Sequence, residues 1–243
     1  MIYSYSNVSC FAQCPRKWKY TYVDHIKTIP DTDAGNALWL GLGLHKGIEL
    51  WDVQAGLDEY KSHYNLITDE NVNWMIQLEY QLQKVLQLLP EGGEHEIEIN
   101  LPNFIGFVDY VCGHVMYDFK FTNNIDNYLH SPQLSLYKHY LSIVRPDIYI
   151  EHTKFMFVPK INIRRKKDES IFEFRKRLQE HLEASEIKFI EVPYSEDSVT
   201  QFETACQMLD HVKSFPKNET RLCQWCNFKQ YCQSDEKEDW MIL

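Results

Sequence analysis

The stretch Ile105-Gly-Phe-Val-Asp109-Tyr-Val-Cys-Gly113-His114-Val-Met-Tyr-Asp118-Phe-Lys120 decides how this chain is read. Its Gly113-His114 pair has the glycine-first pattern of a two-residue type II′ turn, which joins two antiparallel strands and fixes their register. Cys112 then faces Val115, Val111 faces Met116, Tyr110 faces Tyr117 and Asp109 faces Asp118, with Lys120 on the same side two residues further on. Two carboxylates set side by side across a sheet repel unless something positive lies between them. A hard divalent cation, Mg2+ or Mn2+, suits such oxygens. Lys120 adds a second positive charge. A cation held there lowers the pKa of a bound water and polarises a phosphoryl oxygen, while the lysine orients the attacking water or stabilises developing charge. Phosphodiester hydrolysis is the reaction these parts serve. Phe107, Val111 and Met116 share the face and are expected to keep it from full exposure.

Working outward, Glu94 to Leu101 alternates Glu with Ile as a strand does, after a Gly92-Gly93 turn. Glu96 or Glu98 on it is a further candidate carboxylate, and the choice between them stays open. Upstream, residues 70 to 89 are helical in pattern and stop at Pro90. Residues 37 to 51 form an apolar helix whose glycines point to close packing. Ser6 is a plausible N-cap for a short helix carrying Cys10 and Cys14, interrupted at Pro15. Downstream, Ser131-Pro132 supplies an N-cap and N1 proline for a helix running to about residue 143. A strand near 148 to 158, a charged helix near 168 to 185, a strand near 187 to 192 and a helix near 197 to 214 complete the pattern. Three successive strands, a helix and a further strand predict an α/β fold, with a mixed central sheet flanked by helices.

The 243 residues, 44% hydrophobic and 14% aromatic, can bury a core without disulfides. No apolar run reaches the roughly 18 residues of a membrane span, and the N-terminus lacks a signal pattern, so a cytoplasmic location is expected. The formal net charge of −10 runs against a nucleic-acid partner. The charge is nevertheless uneven. Lys160, Arg164, Arg165, Lys166 and Lys167 form a basic run, suited either to a solvated loop or to a track for a single strand. Arg16 and Lys17 are interleaved with aromatics.

Seven cysteines in an unexported chain favour metal ligation and free thiols. Cys223, Cys226 and Cys232 are close enough in sequence to serve one centre, which leaves a fourth ligand to be found. Cys14 is the candidate, and Cys10, one turn earlier, competes with it. Four thiolates suit zinc as well as iron, so spacing leaves both open. Cys112 and Cys206 read as buried free thiols. Ligation of Cys14 by the tail would tie the two chain ends together.

Gly106-Phe-Val-Asp109, Asp118-Phe-Lys120, the upstream His45 and the downstream Gln133-x3-Tyr137 together resemble the PD-(D/E)xK nuclease superfamily, in particular its RecB-like branch with AddB-type and CRISPR-associated iron-sulfur exonucleases. The resemblance implies a restriction-endonuclease-like core, with His45, Asp109 and Asp118 holding Mg2+ or Mn2+, Lys120 catalytic, and Gln133 and Tyr137 supporting site and substrate. It also implies a [4Fe-4S] cluster on Cys14, Cys223, Cys226 and Cys232. Residues 1–36 and 215–243 would then form an iron-sulfur lobe around a core of residues 37–214 in a single nuclease domain. The expected activity is a metal-dependent DNA exonuclease acting on single-stranded ends, in repair, recombination, CRISPR adaptation or phage DNA metabolism. The chain lacks a phosphate-loop motif, so any helicase or recombination partner would be a separate protein. The alternatives are a non-catalytic nucleic-acid-binding module that keeps the cluster, and a zinc-clasped endonuclease or RNase.

Overall fold

A computed structural model describes residues 1–29 and 32–234; the parts of the expected terminal lobe at 30–31 and 235–243 lie outside the described residues. The chain runs α1 (Tyr5–Gln13), α2 (Pro15–Tyr22), α3 (Ala37–Glu49), α4 (Val53–Ser62), α5 (Asp69–Leu88), β1 (Glu94–Asn100), β2 (Ile105–Cys112) and β3 (Val115–Phe121). It continues with α6 (Asp126–Leu129), α7 (Gln133–Val144), β4 (His152–Val158), α8 (Ile171–Ala184), β5 (Lys188–Glu191) and α9 (Glu196–Leu209), then a 3-10 turn (Arg221–Trp225) and α10 (Lys229–Gln233). Two compact units result, one of residues 1–31, 100–106 and 195–243, the other of residues 32–99 and 107–194. The first differs from the expected lobe of 1–36 and 215–243: residues 32–36 fall in the second unit, while α9 and the link between β1 and β2 join the first. Among the described residues no helix is long and apolar enough to cross a membrane.

The larger unit carries a five-stranded sheet in the order β1-β2-β3-β4-β5. β2 and β3 are antiparallel, β3 and β4 parallel, β4 and β5 antiparallel. The parallel step needs a crossover, which α6 and α7 supply. The result is the expected α/β class, a mixed sheet flanked by helices, consistent with a restriction-endonuclease-like core. The β2–β3 register pairs Cys112 with Val115, Val111 with Met116 and Tyr110 with Tyr117, as the turn predicts. Gly113 has φ +58°, the left-handed value the first position of a type II′ turn requires.

Leu40, Leu44 and Ile48 of α3, Tyr60 of α4 and Leu78 and Leu82 of α5 form one core with Tyr110, Phe119 and Met156 of the sheet. The helices come close because glycine faces glycine: a Cβ on Gly56 would stand 2.5 Å from the Gly43 carbonyl oxygen. That approach seats α4 on α3, whose His45 reaches the Phe119 carbonyl of β3.

In the smaller unit, Tyr3 bridges Phe104, and its hydroxyl donates to Asp210 Oδ1 at 2.8 Å. Trp18 is buried, donates from Nε1 to Asn7 Oδ1 at 2.9 Å, and stacks on Phe215 at 5.8 Å between ring centroids. Arg16 Nε donates to the Phe215 carbonyl at 2.7 Å, and Tyr20 packs on Phe228 and Tyr231.

Several boundaries differ from expectation. The α1 cap is Ser4, whose hydroxyl accepts the Asn7 N–H, so Cys14 lies beyond the helix, in extended backbone between α1 and α2. α7 begins at Gln133 rather than at the proline; Pro132 occupies the cap position, and the Ser131 hydroxyl accepts the Gln133 N–H. β4 begins at His152, because the N–H groups of Glu151 and His152 both go to the His114 carbonyl. α8 begins after Ser170, which forms a capping box with Glu173. α9 ends at Leu209, short of residue 214. Phe107 is 47% exposed, so the burial of the carboxylate face comes from other residues.

Candidate active site

Asp109 and Asp118 are buried, at 9% and 1% exposure, on the paired strands β2 and β3. Beyond the Tyr110–Tyr117 pair a side chain joins the ladder: Asp109 Oδ2 accepts the Phe119 N–H at 2.7 Å. Its Oδ1 lies 3.7 Å from His45 Nδ1, and Glu96 Oε1 stands 3.8 Å from the same nitrogen. The opposite nitrogen of the ring, Nε2, is 3.2 Å from the Phe119 carbonyl oxygen. A carbonyl only accepts, so Nε2 carries a proton, and Nδ1 is the nitrogen that faces the carboxylates and would give up its proton to a cation there. His45, Glu96 and Asp109 thus bring three ligand atoms within 4.8 Å of one another.

Between the two candidates left open on β1, the structure places Glu96 here. Glu96 has φ +48°, a left-handed value for a non-glycine residue that interrupts the strand's regular alternation. Asp118 is not in the convergent trio. Its Oδ2 meets Lys120 Nζ at 2.5 Å, and its Oδ1 is buried without a hydrogen-bond donor. A buried carboxylate oxygen without a donor is costly unless a cation or another donor meets it. The residues therefore fit a divalent cation: an imidazole nitrogen and two carboxylates converge, with a third carboxylate beside them that the Lys120 ammonium meets on one oxygen only.

The electrostatics follow from this crowding. Burial pushes the Asp109 carboxyl up, and the Asp118 charge adds to it, against the pull of His45 and Lys120. For His45, burial opposes the charged form, yet Asp109 and Glu96 outweigh it and push the imidazole up to about 9. Burial likewise opposes the Lys120 charge, and the two aspartates outweigh it and raise its pKa. The Lys120 ammonium also faces the rings of Tyr128 at 5.5 Å and Phe155 at 5.8 Å, neighbours that no motif signalled. On α7, Gln133 Nε2 donates to the Tyr137 hydroxyl at 3.2 Å. Burial and the Asp118 charge push that phenol up to about 12, which puts Tyr137 within electrostatic reach of the carboxylates.

In the smaller unit, Cys14, Cys223, Cys226 and Cys232 all line one cavity, and none is in a disulfide. Cys10 is not among the lining residues; burial raises its thiol pKa, and Cys14 and Cys226 are near enough to add to the effect. Cys112 and Cys206 are half-buried rather than buried. Arg16 ties the chain ends through Phe215, which accounts for it without a nucleic acid, while Lys17 lines the cysteine cavity. Arg164, Arg165, Lys166 and Lys167 are exposed in the larger unit.

The fold is shared with a crystal structure from Eubacterium rectale described as a "Putative exonuclease", at 10% identity and TM-score 0.59 over 98% of this chain and 90% of that one. No curated protein matches the chain. A family model described as the PD-(D/E)XK nuclease superfamily matches residues 2–233. With the match spanning nearly the whole sequence, this chain belongs to the PD-(D/E)XK nuclease superfamily.

Proposed function

We propose that the chain is a RecB-like exodeoxyribonuclease that uses Mg2+ or Mn2+ and digests single-stranded DNA from its ends. The observation that carries this reading is the convergence of His45 Nδ1, Glu96 and Asp109 within 4.8 Å beside the Asp118–Lys120 pair. His45, Glu96, Asp109 and Asp118 would hold the cation, which when bound supplies Lewis acidity to the phosphodiester. The protein's own groups do the rest. The Phe119 carbonyl fixes the His45 tautomer, and the Phe119 N–H fixes Asp109. Lys120 offers its ammonium to a phosphoryl oxygen or an attacking water, and the Gln133–Tyr137 pair lines the approach as a positioning contact. Action on ends draws support from the resemblance to RecB-like enzymes and from the printed name of the Eubacterium rectale protein.

The same reading assigns a structural [4Fe-4S] cluster to Cys14, Cys223, Cys226 and Cys232, joining both chain ends in one lobe. Its support is that thiols some 200 residues apart share one cavity. The test is anaerobic purification with iron, sulfide and zinc quantification, followed by cleavage of linear and circular single strands with Mn2+. Metal-dependent loss of the linear substrate alone supports the reading, and equal digestion of circles contradicts action on ends.

A further inference from the structure

The segment leaving β4 is irregular yet firmly held. Gln81 Nε2 donates to the Pro159 carbonyl at 2.9 Å, and Gln77 both accepts from the Ile161 N–H at 2.8 Å and donates to its carbonyl at 3.2 Å. Asn123, three residues beyond Lys120, brackets Lys160 in the same way, at 2.9 Å and 2.7 Å. The loop is thus fixed to α5 and to the end of the strand that carries the catalytic residues.

Lys160 stands out on this fixed loop. Its ammonium is half-buried, 5.1 Å from the Phe121 ring centroid and 5.9 Å from that of Trp74. Among the described residues no carboxylate pairs with it, and burial alone lowers its pKa. Lys84 shows the ordinary solution, with its ammonium donating to the Leu182 and Ser185 carbonyls at 2.7 Å each. A cation drawn away from water without such partners destabilises the fold unless an anion arrives. Arg164, Arg165, Lys166 and Lys167 follow, and among the described residues none is in an ion pair; Glu169 is taken by Arg177. On a chain of net charge −10, this is a local concentration of positive charge, with Asp168 and Glu169 at its end. Beside it, and not lined by Lys160 itself, lies a groove of about 380 Å³ between α5 and α8, within the size range of small-ligand sites; Trp74, Ile161, Ile163, Arg164 and Phe174 line it, with Glu70 of α5 as its one carboxylate among the described residues.

We propose that this groove is a subsite for a single-stranded polynucleotide, with Lys160 meeting a backbone phosphate, Trp74 giving a nucleobase its apolar floor, and the 164–167 cations drawing the strand in. The proposal rests on the nuclease reading, in that the bound strand is the substrate. A duplex keeps its base faces stacked, so an aromatic seat beside a phosphate site selects unpaired strands.

The test uses the full chain carrying Asp118→Asn to prevent cleavage, with fluorescence anisotropy of labelled oligothymidylate and oligouridylate across a salt series. Lys160→Gln is expected to weaken both about tenfold and to reduce the salt slope by about 0.7. Trp74→Leu is expected to weaken both by about tenfold. A preference between the two oligonucleotides reads the sugar. Lys160→Gln should leave the thermal midpoint unchanged or raised, because it removes an unpaired charge. In the Asp118 wild-type chain, neither variant should alter hydrolysis of bis(4-nitrophenyl) phosphate with Mn2+, since this small diester does not reach the groove. Unchanged oligonucleotide affinity in Lys160→Gln with diester hydrolysis intact overturns the groove and leaves the catalytic reading standing. Equal weakening toward a duplex overturns the single-strand assignment. Absence of diester hydrolysis in the wild-type chain sinks the catalytic reading instead.

Discussion

The Phe119 peptide holds both sides of the candidate cation site: its carbonyl oxygen is 3.2 Å from His45 Nε2, and its N–H donates to Asp109 Oδ2 at 2.7 Å. Backbone atoms of one residue, between Asp118 and Lys120, therefore orient two candidate ligands that come from a helix and from the neighbouring strand.

The first consequence concerns His45. Removing the ligand by His45→Ala should raise the Mn2+ concentration for half-maximal cleavage by about tenfold or more. Mn2+ should raise the thermal midpoint of the wild-type chain and do so much less for the variant. Equal Mn2+ shifts in the two proteins would remove His45 from the ligand set.

Close helix packing makes a second prediction. Gly56→Ala places a methyl 2.5 Å from the Gly43 carbonyl oxygen, with Leu82 Cδ1 at 2.7 Å, so backbone must move. Overpacking of this kind costs about 1–3 kcal/mol. In a chain of this size that lowers the thermal midpoint by roughly 2–12 °C. An unchanged midpoint would show that α3 and α4 do not meet here.

A third prediction separates the cysteines. Cys14→Ser should lower iron and sulfide per chain and open the termini to protease, whereas Cys206→Ser should do neither. Full iron content in Cys14→Ser, with loss in Cys10→Ser, would hand the ligand role to Cys10.

Acid sensitivity gives the fourth. Arg177 donates to Glu169 at 2.7 and 2.8 Å and the Lys166 N–H at 2.9 Å, which together hold the carboxyl down to about 2. A folded value below the ordinary 4.5 means the contribution is complete above that pH and fades as pH falls toward 2. The urea midpoint of Glu169→Gln should lie below wild type at pH 7, and the gap should narrow from pH 5 to pH 3. A gap independent of pH would assign the loss to packing.

The hairpin was legible because its turn is local chemistry: a glycine able to take φ +58° sets the three pairs from Cys112–Val115 to Tyr110–Tyr117. Glu96 could not be separated from Glu98 because its side chain reaches the site through a left-handed backbone that no alternation rule anticipates. α4 escaped notice for a similar reason, since Trp51 at φ +52° turns the chain sharply between two helices whose contact depends on paired glycines. The Ser170-x-x-Glu173 box that starts α8 was present in the sequence, but the preceding charges pulled the expected start forward. Tyr128 and Phe155 meet Lys120 only through tertiary packing, which sequence spacing does not encode.

The central claim is that the buried Asp118 carboxylate, beside Lys120 and the His45 trio, makes this chain a metal-dependent nuclease. The direct measurement is release of nucleotides from end-labelled linear single-stranded DNA with Mn2+, comparing wild type with Asp118→Ala in the full chain. Cleavage that chelator abolishes is expected, and Asp118→Ala should reduce it by roughly a hundredfold or more while DNA binding persists. Cleavage by Asp118→Ala at the wild-type rate would contradict it.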